Sequence, residues 1–173
     1  HWTHMAGYSK TLVVLANSCK HNGRCVAGKA LGAHGVGDWI RPTSAHATGA
    51  LYPGDQRVIG GTLTVLDVVE VPLARPAPVG FQTENHRIAP GRPWIKRGRL
   101  DGAALRRAVD AGPLWRDGDS SLNGLNDRVP ASRLAEVDSS LRLIGPLRLD
   151  LQVRGERVRA RFVHGDTPYN LSV

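Results

Sequence analysis

The C-terminal third of the chain carries the strictest pattern in the sequence, an alternation of apolar and polar residues over two neighbouring segments. Residues 147–153 and 158–162 place an apolar side chain at every second position, and Gly155-Glu156 separates them. Because side chains alternate between the two faces of a β-strand, this pattern predicts a hairpin with one apolar and one polar face. The polar face would carry five arginines and one aspartate: Arg148, Arg154, Arg157, Arg159, Arg161 and Asp150.

Further strands are predicted along the rest of the chain. The apolar run 11–16 can pair with 24–29, because Asn22-Gly23 between them tolerates the positive φ of a hairpin turn. Residues 62–71 are rich in β-branched side chains and predict a strand that Pro72 ends. The 20 Gly and 11 Pro favour short strands and turns over long helices. A mostly β fold follows.

Helix signals are confined to the C-terminal half. Asp101 is a favoured N-cap residue, apolar side chains follow at helical spacing, and Gly112-Pro113 stop the pattern, which predicts a helix over 101–111. A further helical turn is expected over 130–136. The sequence therefore predicts one or two short helices beside the strands.

The Pro-rich segment 74–80 is the clearest change of composition and predicts a domain boundary. We expect a first domain over 9–75, a linker over 76–81 and a second domain over 82–173. Small β-domains best avoid exposed edge strands by closing into barrels. His1 to Thr3 precede a His4-Met5 pair, so residues 1–8 are interpreted as a tag remnant and a disordered N-terminus.

Several short motifs resemble those of one protein family. They are Leu15-Ala16-Asn17-Ser18, the run 23–28, Trp39-Ile40-Arg41-Pro42, Glu84-Asn85-His86, the run 123–129 and Tyr169-Asn170-Leu171-Ser172-Val173. Together they resemble the bacterial dual OB-containing domain proteins over nearly everything after Tyr8. The resemblance implies two small OB-like β-barrels packed in tandem. It also implies binding of nucleic acid or an oligonucleotide, as is usual for OB folds.

The charge pattern points to the same class of ligand. The chain has 23 basic and 15 acidic residues, a net charge of +8, and 19 of the basic residues are Arg. Five arginines on adjacent strands would repel one another unless an anion lay across them. Arginine presents a planar fork of donors that suits phosphate. Single-stranded DNA or RNA, or a nucleotide-like anion, is the expected partner; a merely solvated face is the alternative.

Aromatic residues beside basic ones extend the predicted nucleic-acid site, because bases stack on rings while cations follow the backbone. Trp39 neighbours Arg41, and Trp94 neighbours Lys96. These four residues join the five arginines as candidate contacts. Packing of the Trp rings in the core is the competing interpretation.

An enzyme acting on nucleic acid or a nucleotide at an inter-domain cleft is a second hypothesis. Its candidate residues are Cys25, Glu84, His86 and Asp127, which could supply a nucleophile, a base and an orienting carboxylate. A third hypothesis is a protein-interaction module for an acidic partner within a larger system. No cofactor and no metal site are expected, since Cys19, His21 and Cys25 lack a fourth ligand at a familiar zinc spacing.

The sequence also bears on location. It contains no apolar run of about 18 residues, so no membrane contact is expected. Two cysteines are too few for a disulfide scaffold, and no signal peptide is evident. A cytoplasmic location is the resulting expectation.

Overall fold

The computed structural model describes residues 7–20, 22–115 and 118–173, and the fold over them is mostly β as predicted. The part of the predicted tag remnant over 1–6 lies outside the described residues, as does His21. Tyr8, expected in a disordered N-terminus, is instead the first residue of a strand and pairs with Leu73. The strands are β1 Tyr8–Lys20, β2 Gly23–Gly32, β3 Gly35–Thr43, β4 Val58–Ile59, β5 Asp67–Pro76, β6 Asn85–Ile88, β7 Trp94–Arg99, β8 Leu147–Arg154, β9 Arg157–His164 and β10 Thr167–Ser172.

The predicted N-terminal hairpin is present as β1 and β2, joined next to Asn22, whose φ is 63°. The ladder between the strands shifts register between Val14 and Ala16, so β1 carries a bulge there. A bulge bends a strand, and β1 pairs with β5 before this point and with β2 along and beyond it. The backbones of β1 and β2 also approach closely: a Cβ on Gly28 would lie 2.1 Å from the carbonyl oxygen of Val13.

Strand β1 closes a ring. The neighbours run β1-β2-β3-β6-β5 and back to β1, and β3 pairs with β6 in parallel while the other pairs in the ring are antiparallel. Five strands closed in this way form the OB-type barrel that the sequence implies. Its core is apolar, with Leu12, Val26, Leu51, Val71 and Leu73 fully buried among the residues that fill it.

The structure divides the chain elsewhere than at the predicted linker 76–81. Unit 1 is His1–Ala108 with Ser139–Leu141, and unit 2 is Val109–Asp138 with Arg142–Val173. Strands β6 and β7, expected in the second barrel, belong to the sheet of the first, where they pair with β3, β4 and β5. Pro72 and Pro76 do not interrupt this sheet, since both lie within β5.

Two further elements differ in extent from their predictions. The strand expected over 62–71 begins only at Asp67, because Leu66 has a φ of 75° that extended backbone does not allow. The helix expected over 101–111 is shorter. Asp101 caps α1, Gly102–Leu105, by accepting from the backbone N–H groups of residues 103 and 104, and a 3₁₀ turn over Arg106–Ala108 follows. The expected turn over 130–136 is the 3₁₀ helix Ala131–Glu136.

Unit 2 contains a separate antiparallel sheet in the order β10-β9-β8. The predicted hairpin is confirmed as β8 and β9, with Gly155 at a φ of 59° in the turn. Phe162 and Tyr169 stack with ring centroids 5.1 Å apart, and Trp115 packs against Tyr169. The apolar side chains of β8, by contrast, are exposed: Leu147, Leu149, Leu151 and Val153.

Candidate ligand-binding surfaces

The polar face of the three-stranded sheet brings most of the predicted arginines together. Arg154 lies directly opposite Arg157, and Arg161 lies opposite Asp150. Arg148 is placed differently, because the ladder shifts register between Leu147 and Asp150, and its φ is 54°. In the part of the chain that the structure describes, no ion pair involves the exposed side chains of Arg148, Arg154, Arg157 or Arg161.

Arg159 has a different environment from the other four. Its guanidinium donates to the side chain of Asn170 at 2.9 Å and to the backbone carbonyl of that residue at 2.8 Å, and it lies 3.6 Å from Asp127. These contacts tie β9 to β10 and to the loop that precedes them. Arg159 is therefore largely engaged within unit 2.

Asp127, a candidate catalytic carboxylate, anchors a loop. It accepts from the hydroxyl of Ser121 at 2.5 Å and from the backbone N–H of the same residue at 2.7 Å. These hydrogen bonds lower the pKa of Asp127, since they favour its charged form. Gly124 is required beside it, because a Cβ there would clash with the carboxylate.

Trp94 and Lys96, two predicted nucleic-acid contacts, make contacts within unit 1 instead. Trp94 is 1% exposed and belongs to the apolar core, so its ring offers no face on which a base could stack. The Lys96 ammonium lies 2.9 Å from a carboxylate oxygen of Asp67 and donates to the carbonyl of Thr62. Burial opposes ionisation of Asp67, but the hydrogen bonds from Lys96 and Thr64 outweigh it and lower the pKa of Asp67. The packing interpretation is the one that fits Trp94.

Trp39 and Arg41 lie on β3, on either side of the core residue Ile40, so both project from the outer face of the barrel. The Lys29 ammonium sits 5.5 Å from the centroid of the Trp39 ring and donates to the backbone carbonyl of Ala108 at 2.6 Å. Lys29 is thereby buried on this outer face.

Arg41 forms a buried ion pair with Glu84, a candidate catalytic residue. The Nη2 of Arg41 lies 3.0 Å from Glu84 Oε1, and only 11% and 3% of the two side chains are exposed. The Ser140 hydroxyl donates to the same carboxylate and accepts from Arg41 Nη2 at 2.7 Å. Glu84 therefore binds Arg41 and Ser140, and these contacts hold residue 140 against the barrel.

The remaining catalytic candidates, Cys25 and His86, do not form a nucleophile–base pair. His86 Nδ1 lies 2.5 Å from the hydroxyl of Tyr8, and burial together with the charge of Lys10 lowers the pKa of His86. Cys25 is a free thiol on β2. Among the described residues no hydrogen bond joins Cys25 to His86, and no cluster of three or more His, Cys, Asp or Glu side chains suits a metal.

A pocket of about 140 Å³ on the barrel was not foreseen from the sequence. It lies where β3 runs beside β6, and Arg41, Thr43, Asn85 and Arg87 line it together with Cys25. The parallel register places Arg41 opposite Asn85 and Thr43 opposite Arg87. Asn85 belongs to a polar cluster visible in the sequence, but nothing local in the sequence indicates that Arg87 would join Arg41.

Comparison with known families identifies the chain. The fold is that of a mostly β protein in which a closed five-stranded OB-type barrel precedes a separate three-stranded sheet with an arginine-rich face. The family of the dual OB-containing domain matches residues 10–173, and the chain therefore belongs to it. Neither the curated proteins nor the solved structures that were compared gave a match. No helix in the described residues is long and apolar enough to span a membrane.

Proposed function

We propose that this protein binds single-stranded nucleic acid and that the arginine face of unit 2 supplies the phosphate contacts. The observation that carries the proposal is the exposure, on one small sheet, of four arginines that lack an ion-pair partner among the described residues: Arg148, Arg154, Arg157 and Arg161. Membership of a dual OB family supports it, because OB folds commonly bind oligonucleotides.

Electrostatics favour an anionic partner at this face. Arg154 and Arg157 are directly opposite each other, an arrangement in which like charges destabilise a sheet. A phosphate between them would offset that repulsion and would accept hydrogen bonds from both planar guanidinium groups. Asp150, opposite Arg161, compensates only part of the charge.

The direct experiment is the titration of labelled single-stranded DNA and RNA of about 16 nucleotides, followed by fluorescence anisotropy at several salt concentrations. The double variant Arg157→Gln/Arg161→Gln should bind at least about tenfold more weakly. The slope of log K against log salt is negative, and each lost phosphate contact should reduce its magnitude by about 0.7. Arg106→Gln/Arg107→Gln, which removes two exposed arginines of unit 1, is the matched control.

An unchanged affinity and an unchanged salt slope in the Arg157/Arg161 variant would contradict the proposal. The competing hypothesis of an acidic protein partner is separated by competition. If polyglutamate displaces the labelled oligonucleotide as well as an unlabelled oligonucleotide of equal charge does, the face is a general polyanion surface. Of the two predicted aromatic contacts, Trp39 and Trp94, Trp39 is half-buried beside Lys29 and stays a candidate for base stacking, which Trp39→Leu tests in the same titration.

A further inference from the structure

The pocket between β3 and β6 contains polar atoms that the protein itself does not satisfy. Arg41 Nε, Arg87 Nη1 and Asn85 Oδ1 are buried and have no hydrogen-bond partner. Asn85 is only 4% exposed, and all three residues line the pocket. More than about nine in ten buried polar groups in proteins are hydrogen-bonded, so three residues with an unsatisfied atom beside one pocket make this an unusual polar environment.

The charge around the pocket is positive. None of the described residues that line it is acidic, and Arg87 makes no side-chain hydrogen bond or ion pair within the described chain. Arg75 lies opposite Arg87 in the β5–β6 ladder and therefore projects from the same face. Glu84 pairs with Arg41, and no carboxylate among the described residues pairs with Arg75 or Arg87.

We propose that this pocket binds a phosphate group, with Arg41 and Arg87 donating to its oxygens. The guanidinium of Arg87 has no side-chain partner among the described residues, and a phosphate presents several acceptors on one compact anion. A singly protonated phosphate also carries a hydroxyl that can donate to Asn85 Oδ1. The residues of this site belong to unit 1, and the proposal does not depend on the function proposed for the arginine face of unit 2.

The size of the pocket limits what enters it. Its volume of about 140 Å³ is several times the roughly 30 Å³ of one water but below the range of about 300–1,000 Å³ typical of pockets for drug-sized ligands. A phosphate group fits, whereas the sugar and base of a nucleotide would remain outside. The phosphate can thus be the free ion or the terminal group of a nucleotide or an oligonucleotide.

Isothermal titration calorimetry of the full chain with inorganic phosphate, AMP and adenosine tests the proposal. We expect saturable binding of phosphate or AMP and none of adenosine. A tighter Kd for AMP than for phosphate assigns the site to a terminal phosphate, and a 5′-phosphorylated oligonucleotide should then outcompete its 5′-hydroxyl form. The reverse order assigns it to the free ion.

Two variants, Arg87→Gln and Ala47→Glu, locate the site, and each has a matched control. Arg87→Gln should weaken binding about 10- to 100-fold, whereas Arg92→Gln, at an exposed position of the same segment, should change it less than about twofold. Ala47, exposed at the pocket, allows a test that leaves the core unchanged. Ala47→Glu should abolish binding by bringing a carboxylate to the anion, and Ala47→Gln, of equal size, should not.

The proposal is overturned if phosphate and AMP both fail to bind up to about 10 mM, or if Kd is unchanged in both Arg87→Gln and Ala47→Glu. The Arg157→Gln/Arg161→Gln variant keeps the two proposals apart. It should retain phosphate binding in the pocket, so a loss there would also count against the pocket as the site.

Discussion

The barrel of unit 1 and the sheet of unit 2 are both built from strands with apolar side chains, but they bury those side chains differently. In the barrel the apolar side of every ring strand faces one enclosed core, and Leu12, Val69 and Leu73 are fully buried. In the sheet the apolar side of β9 and β10 is covered around Phe162 and Tyr169, while that of β8 is exposed. Alternation determines which side chains share a face, and closure of the sheet determines whether that face is buried.

The same contrast applies to charge. In the first sheet Arg41, Lys96 and Arg97 have carboxylate partners, whereas Arg75 and Arg87, which lie opposite each other on β5 and β6, have none among the described residues. On the sheet of unit 2 the arginines of the predicted binding face, apart from Arg159, lack such partners within the described part of the chain. The positive charge is therefore not spread evenly: some basic side chains are ion-paired, while Arg75, Arg87 and the arginines of that face other than Arg159 are not paired within the described residues.

Removing one member of the buried Arg41–Glu84 ion pair should have the largest effect on stability of the variants considered. It tests whether the buried pair differs from exposed pairs. Glu84→Gln leaves Arg41 buried without its counter-charge, which we expect to lower the free energy of unfolding of unit 1 by about 3–5 kcal/mol. Glu136→Gln, which removes an exposed partner of Arg133 in unit 2, should cost no more than about 1 kcal/mol. Urea unfolding, followed through the amide signals of each unit, measures both.

A double variant provides the control for this prediction. If the loss in Glu84→Gln comes from the stranded charge, Arg41→Met/Glu84→Gln should recover part of the stability. Equal losses in the Glu84 and Glu136 variants would remove the distinction between the buried ion pair of the barrel and the exposed ion pair of unit 2.

A matched pair of leucine truncations tests the contrast in burial. Leu73→Ala deletes a side chain that is 0% exposed in the barrel and should cost about 2–5 kcal/mol. Leu151→Ala deletes the same atoms on β8, where 58% of the residue is exposed, and should change stability by less than about 0.5 kcal/mol. Chemical denaturation of the two variants gives the comparison. A loss at Leu151 as large as that at Leu73 would mean that β8 is covered in solution.

The parts of this fold that the sequence predicts are those with local partners. The hairpins β1–β2 and β8–β9 join neighbouring segments across short turns. An apolar run with an Asn-Gly pair predicts the first, and alternation with a Gly-Glu pair predicts the second. The parallel pairing of β3 with β6 joins residues more than 40 positions apart, as Arg41 and Asn85 show. No local pattern specifies such a crossover, and the domain boundary was consequently predicted too early.

The candidate sites follow the same rule. The arginine face is predictable because all its members lie on one hairpin, whereas the pocket depends on the β3–β6 register and could be found only in the structure. Trp94 was assigned to a binding surface because basic residues follow it along the chain. Adjacency in sequence does not determine which side of a strand faces the core, and Trp94 fills that core.

The smallest effect we predict is a dependence of barrel stability on pH through His86. Burial, with a contribution from Lys10, lowers the pKa of His86 below its ordinary value of 6.5, and the ring contacts Tyr8 at 2.5 Å. As pH falls below 6.5, the unfolded chain takes up a proton that the native protein does not yet bind, so the free energy of unfolding decreases. The decrease ends once native His86 is also protonated. Urea unfolding at about pH 7.5 and about pH 5.5 should show this loss in unit 1, and His86→Gln should reduce it, whereas His34→Gln, at an exposed turn, should not. A loss of the same size in His86→Gln would assign the pH dependence to other groups, and a loss confined to unit 2 would reverse the contrast between the two units.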